Sequence, residues 1–357
     1  MLKILIVGAG AIGCFVGGRL SAVGQQVALL GRSALMGKIA TAGLCLRHPT
    51  LPEQTVHPQT VTSLDDITPA FDFILVTVKS PDTPGVIRDI AEARLSLVNT
   101  CIVSLQNGIG NEEMLAEAFG REKVIAGTIT IPISVPERGI IEVSKDKGGL
   151  GLAPMHPNQS VQQLADALNQ AGLTTHVYPD YQAMKWSKLL LNIVNNASSA
   201  ILNEPPAQIV ANPDLFNLEI EALREGVMVM KAWGFSAVKL PGYPANWLAR
   251  LVSAGWLPMN AKRAILRPFM LSGRGTKMPS LQIDLAAERP TSEVAVLNGA
   301  IVEAGQKVGV ITSVNKTLTD ILSRLVSNEL AWEDYQHQPE KLLQAVAIEK
   351  ERRGNNP

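Results

Sequence analysis

The first thirty residues constrain the chain more than any other stretch. Leu2 to Val7 is an unbroken apolar run of strand length, followed directly by Gly8-Ala9-Gly10-Ala11-Ile12-Gly13 and an apolar, helix-compatible segment to about Val23. A second apolar run, Val27 to Leu30, ends in Gly31-Arg32. Strand, glycine turn, helix and second strand in this order describe the opening of a dinucleotide-binding unit. Gly8 then serves the tight turn, Gly10 the close approach of backbone to a pyrophosphate, and Gly13 close helix–strand packing. Residues Gly8, Ala9, Gly10, Ala11, Ile12 and Gly13 are the candidate phosphate loop, with the helix N-terminus facing the phosphate charge.

The end of the second strand narrows the cofactor. A site for NAD usually carries Asp or Glu there to accept hydrogen bonds from the ribose, and Leu30-Gly31-Arg32-Ser33 has no carboxylate. The planar donor fork of Arg32 suits a ribose phosphate, which points to NADP(H). The alternative is a solvated surface arginine following a strand.

Lys plus Arg equals Asp plus Glu, 32 each, so net charge gives no reason to expect nucleic acid or acidic lipid as a partner. No apolar run reaches the ~18 residues that would span a bilayer. Cys14, Cys45 and Cys101 are few and widely spaced, as expected of reduced core thiols in a cytoplasmic protein. The five histidines lie singly, and no metal site is expected.

A glycine-punctuated connection follows Arg32, with short strand-like pieces at 44–47 and 54–56. Runs at 71–78, 101–105 and 124–131 are strongly apolar, with helical segments at 86–97 and 112–119 between them. Such alternation indicates a parallel sheet covered on both faces. Residues 140–143 and 150–152, joined by a charged turn at 144–149, read as an edge hairpin, and 159–171 as the last helix of this domain. After residue 180 the texture is helical, with long patterns at 183–201, 213–233, 291–308 and 315–332. The fold expected is α/β, an N-terminal Rossmann domain over 1–180 followed by an all-helical domain over 181–335. Chemistry is expected in a cleft between the two. Residues 336–357 read as an extension with a frayed tail.

Two strand ends carry suggestive residues, Lys79 after Val76-Thr77-Val78 and Asn107 after Ser104-Leu105-Gln106. In an open α/β sheet ligands lie beyond the carboxyl ends of strands, so Lys79 and Asn107 are candidates for cofactor or substrate contact. A surface lysine and an Asn-Gly turn are the structural alternatives. Lys188, Asn192 and Asn196 recur at i, i+4 and i+8 on an otherwise apolar helix, forming one stripe along a single face. That stripe suits a cleft: a lysine donates a proton to an oxygen that gains charge, and the amides orient a substrate. Helix–helix hydrogen bonding with a snorkelling lysine is the competing reading.

Taken together these motifs resemble the ketopantoate reductase family, NADPH-dependent enzymes that reduce 2-dehydropantoate to pantoate on the route to coenzyme A. The resemblance runs from residue 1 to about 330. It rests on the 8–13 loop, Arg32, the run ending at Lys79, Gln106-Asn107-Gly108 and residues 186–196. Lys277-Met278-Pro279-Ser280 and the stretches 289–294 and 297–299 complete it. It implies that Lys188 donates the proton, that Asn192, Asn196 and Ser280 hold the substrate, and that Asn107 lies between nicotinamide and substrate. Arg32 would bind the 2′-phosphate, Lys79 would be a further cofactor-side residue, and Glu293 would accept hydrogen bonds from the nicotinamide ribose or the substrate. Read without the family, Glu293 is a helix-start carboxylate and Ser280 a turn residue after proline.

The chain also departs from the family. A further substrate asparagine is expected where Pro205-Pro206 falls, with Asn203 the nearby candidate, and Ser292 competes with Glu293 for the acidic position. Residues 239–277 form a longer connection than usual, rich in proline, glycine, tryptophan and basic residues. It brings Trp247, Arg250, Trp256, Lys262, Arg263, Arg267 and Arg274 near Ser280 in sequence. That segment is a reshaped substrate side, a homodimer contact or a surface insertion. Ketopantoate reduction is the function expected. Reduction of another 2-oxo acid or ketone, including opine-type condensation, and a non-catalytic NADPH sensor are the alternatives.

Overall fold

Side-chain alternation along β1 (Lys3–Val7) sets the layering of the first unit. Ile4 and Ile6 enter one apolar core, while Leu5 and Val7 enter another. Successive residues of a strand point to opposite faces, so a run apolar at every position needs cover on both. The later strands are β2 (Gln26–Leu30), β3 (Leu44–Arg47), β4 (Gln54–Val56), β5 (Gln59–Val61), β6 (Phe73–Val76) and β7 (Cys101–Ser104). They continue as β8 (Val124–Ile129), β9 (Ile133–Glu137), β10 (Ile140–Val143), β11 (Leu150–Pro154) and β12 (Thr175–Val177). In β6, Phe73 and Leu75 share a core with Ile4, and Ile74 and Val76 share the other with Leu5. The computed structural model describes residues 1–67, 70–157, 159, 161–272 and 277–354. Arg274 and residues 355–357 lie outside the described residues.

The main sheet has the order β12-β11-β8-β7-β6-β1-β2-β5. From β5 to β8 neighbouring strands are parallel, and β11 then pairs antiparallel with β8. The chain moves from β1 outward to β2 and returns on the other side through β6. The carboxyl ends of β1 and β6 therefore flank the switch point where such sheets take ligands. Met1–Lys185 with Leu240–Tyr243 forms one compact unit, and Trp186–Lys239 with Pro244–Pro357 the other. The division falls inside the helix Tyr181–Ile193. The described residues of the second unit are helical, with no strand. Among the described residues no helix is long and apolar enough to cross a membrane.

Several expectations are corrected. The hairpin over 140–152 does not form. β10 pairs instead with β9 across the two-residue Arg138-Gly139 turn and with β3, in a second sheet ordered β4-β3-β10-β9. β9 contains Pro136, which disguises it as a loop; it is an edge strand, where a missing N–H is tolerated. The connection after Arg32 is a helix, Ser33–Ala42, that buries only Met36 and Ile39 and so carries little apolar signal. Residues 239–277 are largely two helices, Ala245–Ser253 and Met259–Ser272. Pro244 and Pro258, apparent breakers, stand just ahead of their first residues, where the missing N–H breaks no helical hydrogen bond and the carbonyls accept from Leu248 and Lys262 N–H. The pattern at 291–308 divides into a 3-10 turn, Glu293–Val296, and the helix Asn298–Lys307. The tail is not frayed as far as it is described: Pro339–Gly354 is helical, with Leu342 and Val346 buried and Lys350 Nζ bonded to Glu221 Oε2 at 2.6 Å.

Candidate active site

The glycine loop is built from backbone. Gly8 has φ +106°, and its N–H and that of Ala9 both donate to the Leu30 carbonyl, at 3.1 and 3.0 Å. Thr77, just beyond β6, donates its hydroxyl to the Gly8 carbonyl at 2.6 Å. The loop is thus pinned to the ends of both neighbouring strands. A Cβ on Gly13 would lie 2.2 Å from the Gly8 oxygen and 2.6 Å from Thr77 Oγ1, so only glycine lets the helix Ala11–Ala22 start here. Gly10 is the opposite case: it is exposed, and a Cβ there would meet nothing within 4 Å. The helix behind it has no side-chain cap and no acidic residue in its first turn. Its first N–H groups have no intrahelical acceptor, which leaves a positive field over open space fit for a phosphate.

Arg32 is exposed and stands at the N-cap of Ser33–Ala42, whose first turn also lacks an acid. An arginine beside a second uncapped helix start adds positive field at the β2 end of the loop. The loops after β6 and β7, carrying Lys79 and Asn107, are stitched together. Ser80 Oγ and Asn111 Nδ2 donate to the Asn107 carbonyl at 2.9 and 3.0 Å. The Gln106 amide donates to Thr83 Oγ1 at 2.8 Å and to the Val78 carbonyl at 3.1 Å. The structure therefore brings Lys79 and Asn107 to one edge of the sheet, both partly exposed.

Sequence reasoning missed two charged residues below these loops. Lys185 Nζ lies 2.7 Å from Glu112 Oε1, a close ion pair without hydrogen-bond alignment, with side chains 3% and 2% exposed. Burial pushes the Glu112 carboxyl up and the Lys185 ammonium opposes it. Glu112 hides in sequence as one of two helix-start glutamates. Lys185 hides as a charge beside the Lys188 motif.

In the second unit the expected single helix over 183–201 is broken. Tyr181–Ile193 carries Lys188 and Asn192, and Ala197–Leu202 is a separate helix with Asn196 at its N-cap. Asn195 between them has φ +53°, a left-handed conformation that asparagine tolerates better than most residues. Lys188 and Asn192 keep their shared face, but Asn196 is not part of a continuous stripe. It meets them by another route: its Nδ2 donates to the Asn192 carbonyl at 3.1 Å, and its Oδ1 accepts from Leu281 N–H at 3.2 Å. Leu281 follows Ser280, the exposed first residue of the helix Ser280–Ala286. Lys188, Asn192, Asn196 and the Ser280 helix start are thereby tied into one neighbourhood, with Lys188 partly exposed and the two asparagines buried.

Glu219 explains the break. Its carboxylate, 2% exposed, accepts the Asn195 N–H at 2.7 Å and the Ser198 hydroxyl at 2.5 Å. Burial pushes this carboxyl up to about 7, with the two hydrogen bonds opposing. Asn203 ends the short helix in the left-handed conformation and accepts from Gln282 Nε2 at 2.9 Å. Glu293 is buried at the start of its 3-10 turn, while Ser292 is its cap and accepts from Val294 N–H at 3.2 Å.

Residues 4–156 match the family model described as Ketopantoate reductase PanE/ApbA, and residues 180–326 match that of its C terminal part. A 2-dehydropantoate 2-reductase of Pyrococcus horikoshii is 34% identical over 230 residues, which is 64% of this chain and 73% of that protein. A relative of the same name in Archaeoglobus fulgidus is 27% identical over 321 residues, 90% of this chain and 96% of its own length. The crystal structure of 2-dehydropantoate 2-reductase from Geobacter metallireducens GS-15 superposes with a TM-score of 0.75 at 27% identity, covering 90% of this chain and 99% of that one. On these matches, which take in both the glycine loop and the Lys188 helix, the chain belongs to the ketopantoate reductase family.

Proposed function

We propose that this protein reduces 2-dehydropantoate to pantoate with NADPH. The observation that carries the reading is the neighbourhood of Lys188, Asn192, Asn196 and the Ser280 helix start, in a chain whose relatives are named for that reaction. The cofactor, when bound, supplies a hydride to the ketone carbon. Its pyrophosphate would be held by the backbone of Gly8, Ala9, Gly10, Ala11, Ile12 and Gly13, and its 2′-phosphate by Arg32, which would favour NADP(H) over NAD(H). Lys79 would be a second cation on the cofactor side, and Glu293 would accept hydrogen bonds from the nicotinamide ribose or the substrate.

Lys188 Nζ donates a proton to the ketone oxygen as that oxygen gains negative charge. Asn192 and Ser280 hold the substrate's carboxylate and hydroxyl groups. Asn196 already spends Oδ1 on Leu281 N–H and one amide hydrogen on the Asn192 carbonyl, so it contributes its remaining amide hydrogen and the placement of Ser280. Asn107 would contact both nicotinamide and substrate. Most of the acceleration comes from orientation and preset hydrogen-bond donors rather than from covalent chemistry.

A second reading keeps the chemistry and changes the 2-oxo acid. It is favoured by Asn203, which caps a helix and is bonded to Gln282, so the family's additional substrate asparagine is not supplied in the usual way. The test is loss of reduced nicotinamide absorbance with ketopantoate, run beside branched and linear 2-oxo acids and repeated with NADH. Fast turnover of ketopantoate with a strong NADPH preference supports the first reading. Faster turnover of another 2-oxo acid transfers the same site to that substrate.

A further inference from the structure

Taking two charges out of water carries a heavy desolvation cost, and an apolar pair of similar volume often holds a fold at least as well. The buried pair Lys185 and Glu112 therefore calls for a reason beyond packing. The reason lies in what else the ammonium touches. Lys185 Nζ donates to the Gly127 carbonyl at a long 3.4 Å and, much more closely, to the Gln106 carbonyl at 2.7 Å. That carbonyl belongs to the peptide plane leading into Asn107, and a planar peptide held at its oxygen is held at its N–H as well. The plane on the other side of Asn107 is held too, because its carbonyl accepts from Ser80 Oγ and Asn111 Nδ2. Gln106 is further anchored through its own amide to Val78 and Thr83. Glu112 stands in the first turn of Asn111–Phe119, the helix that the same loop leads into. Lys185 precedes Lys188 by three residues on one continuous helix.

We infer that Lys185, with Glu112 as its counter-ion, is a positioning residue that fixes the Gln106–Asn107 peptide and so aims the Asn107 side chain at the reacting groups. This rests on the proposed role of Asn107 in ketopantoate reduction. If the pair served the fold alone, replacing both charges by apolar residues would restore function along with stability.

The test uses the full chain in four forms: wild type, Lys185→Met, Glu112→Gln, and the double variant Lys185→Met with Glu112→Leu. Each is followed by thermal midpoint, NADPH dissociation constant, amide hydrogen exchange over residues 106–110, and single-turnover reduction of ketopantoate. Lys185→Met alone is expected to lower the midpoint markedly, since it leaves a buried carboxylate without its cation. The double variant is expected to regain the midpoint and to keep NADPH affinity within about threefold, because most of that affinity comes from the phosphate loop and Arg32. Its 106–110 amides should exchange faster, and its single-turnover rate should stay on the order of a hundredfold down, the scale of a small misplacement near the chemistry. Glu112→Gln keeps the bond to Gln106 and should lose the least rate. A double variant with wild-type rate and exchange overturns the inference. So does a rate that merely tracks the midpoint across the variants, which decides the matter even if the double variant folds poorly. Wild-type protein that binds NADPH but does not turn over ketopantoate defeats the proposed function instead, and the exchange measurement still reads the positioning.

Discussion

The glycine loop of the first unit and the Lys188 neighbourhood of the second both gather polar groups, by opposite means. The loop uses backbone N–H groups, and its shape comes from what is absent: no Cβ at Gly8 or Gly13, no acid in the first turn of Ala11–Ala22. The second neighbourhood uses side chains on three separate helices, set by a backbone break at Asn195 that a distant carboxylate, Glu219, holds in place. A backbone site tolerates change in most of its side chains but not in its glycines. A side-chain site depends on each named group and on whatever sets its register.

Lys188→Ala should separate the two sites most clearly. Loss of a general acid costs roughly 10²–10⁴ in rate, so turnover should fall by orders of magnitude while NADPH affinity stays near wild type. Equal losses in turnover and NADPH affinity would show that Lys188 serves binding and is not the proton donor.

The same contrast governs what the sequence discloses. The loop was legible because glycine spacing and strand-length apolar runs are local signals. The helical run over 183–201 was not, since Asn195 carries no breaker signal and the cause of the break, Glu219, is remote in sequence. Lys185 and Glu112 were invisible for a related reason: each reads as a solvated charge until the fold buries it beside the other. β9 was concealed by Pro136, and the helices at Ala245–Ser253 and Met259–Ser272 by the prolines that start them. Local chemistry is readable from a chain; pairings across tens of residues need the fold.

Glu219 offers the next largest effect. Its carboxyl sits at about 7 when folded, above its ordinary 4.5, so the native state binds the proton more tightly. That contribution to stability is complete below pH 4.5 and is lost as pH rises through 7, on the order of 3 kcal/mol for such a shift. Glu225, which caps Ser313–Val326 by accepting from Val314 and Asn315 N–H, is raised to about 7 by burial as well and adds a slope of the same sign. Urea midpoints at low and high pH should show wild-type protein weakening as pH rises, and Glu219→Gln should remove about half of that slope. An unchanged slope would mean that Glu219 titrates as an ordinary carboxylate.

Arg32→Ala addresses the proposed 2′-phosphate contact. A charge-assisted hydrogen bond contributes about 1.5–3 kcal/mol, so the NADPH dissociation constant should rise by roughly ten- to a hundredfold while that for NADH hardly moves. Parallel losses for both cofactors would mean that Arg32 does not contact the 2′-phosphate.

Two alanine substitutions in the glycine loop separate packing from binding at the smallest scale. At Gly13 the new Cβ would lie 2.2 Å from the Gly8 carbonyl, so helix or loop must move. Overpacking of that kind costs about 1–3 kcal/mol, and NADPH affinity should fall together with stability. At Gly10 the new Cβ meets no protein atom within 4 Å. The fold should keep its midpoint, and any loss must come from the cofactor's own need for that space. Calorimetric titration with NADPH beside thermal melts reads both quantities. A Gly10→Ala protein with unaltered NADPH affinity would show that the pyrophosphate does not approach the backbone there. The anion would then have to rest on the helix N-terminus and Arg32 alone.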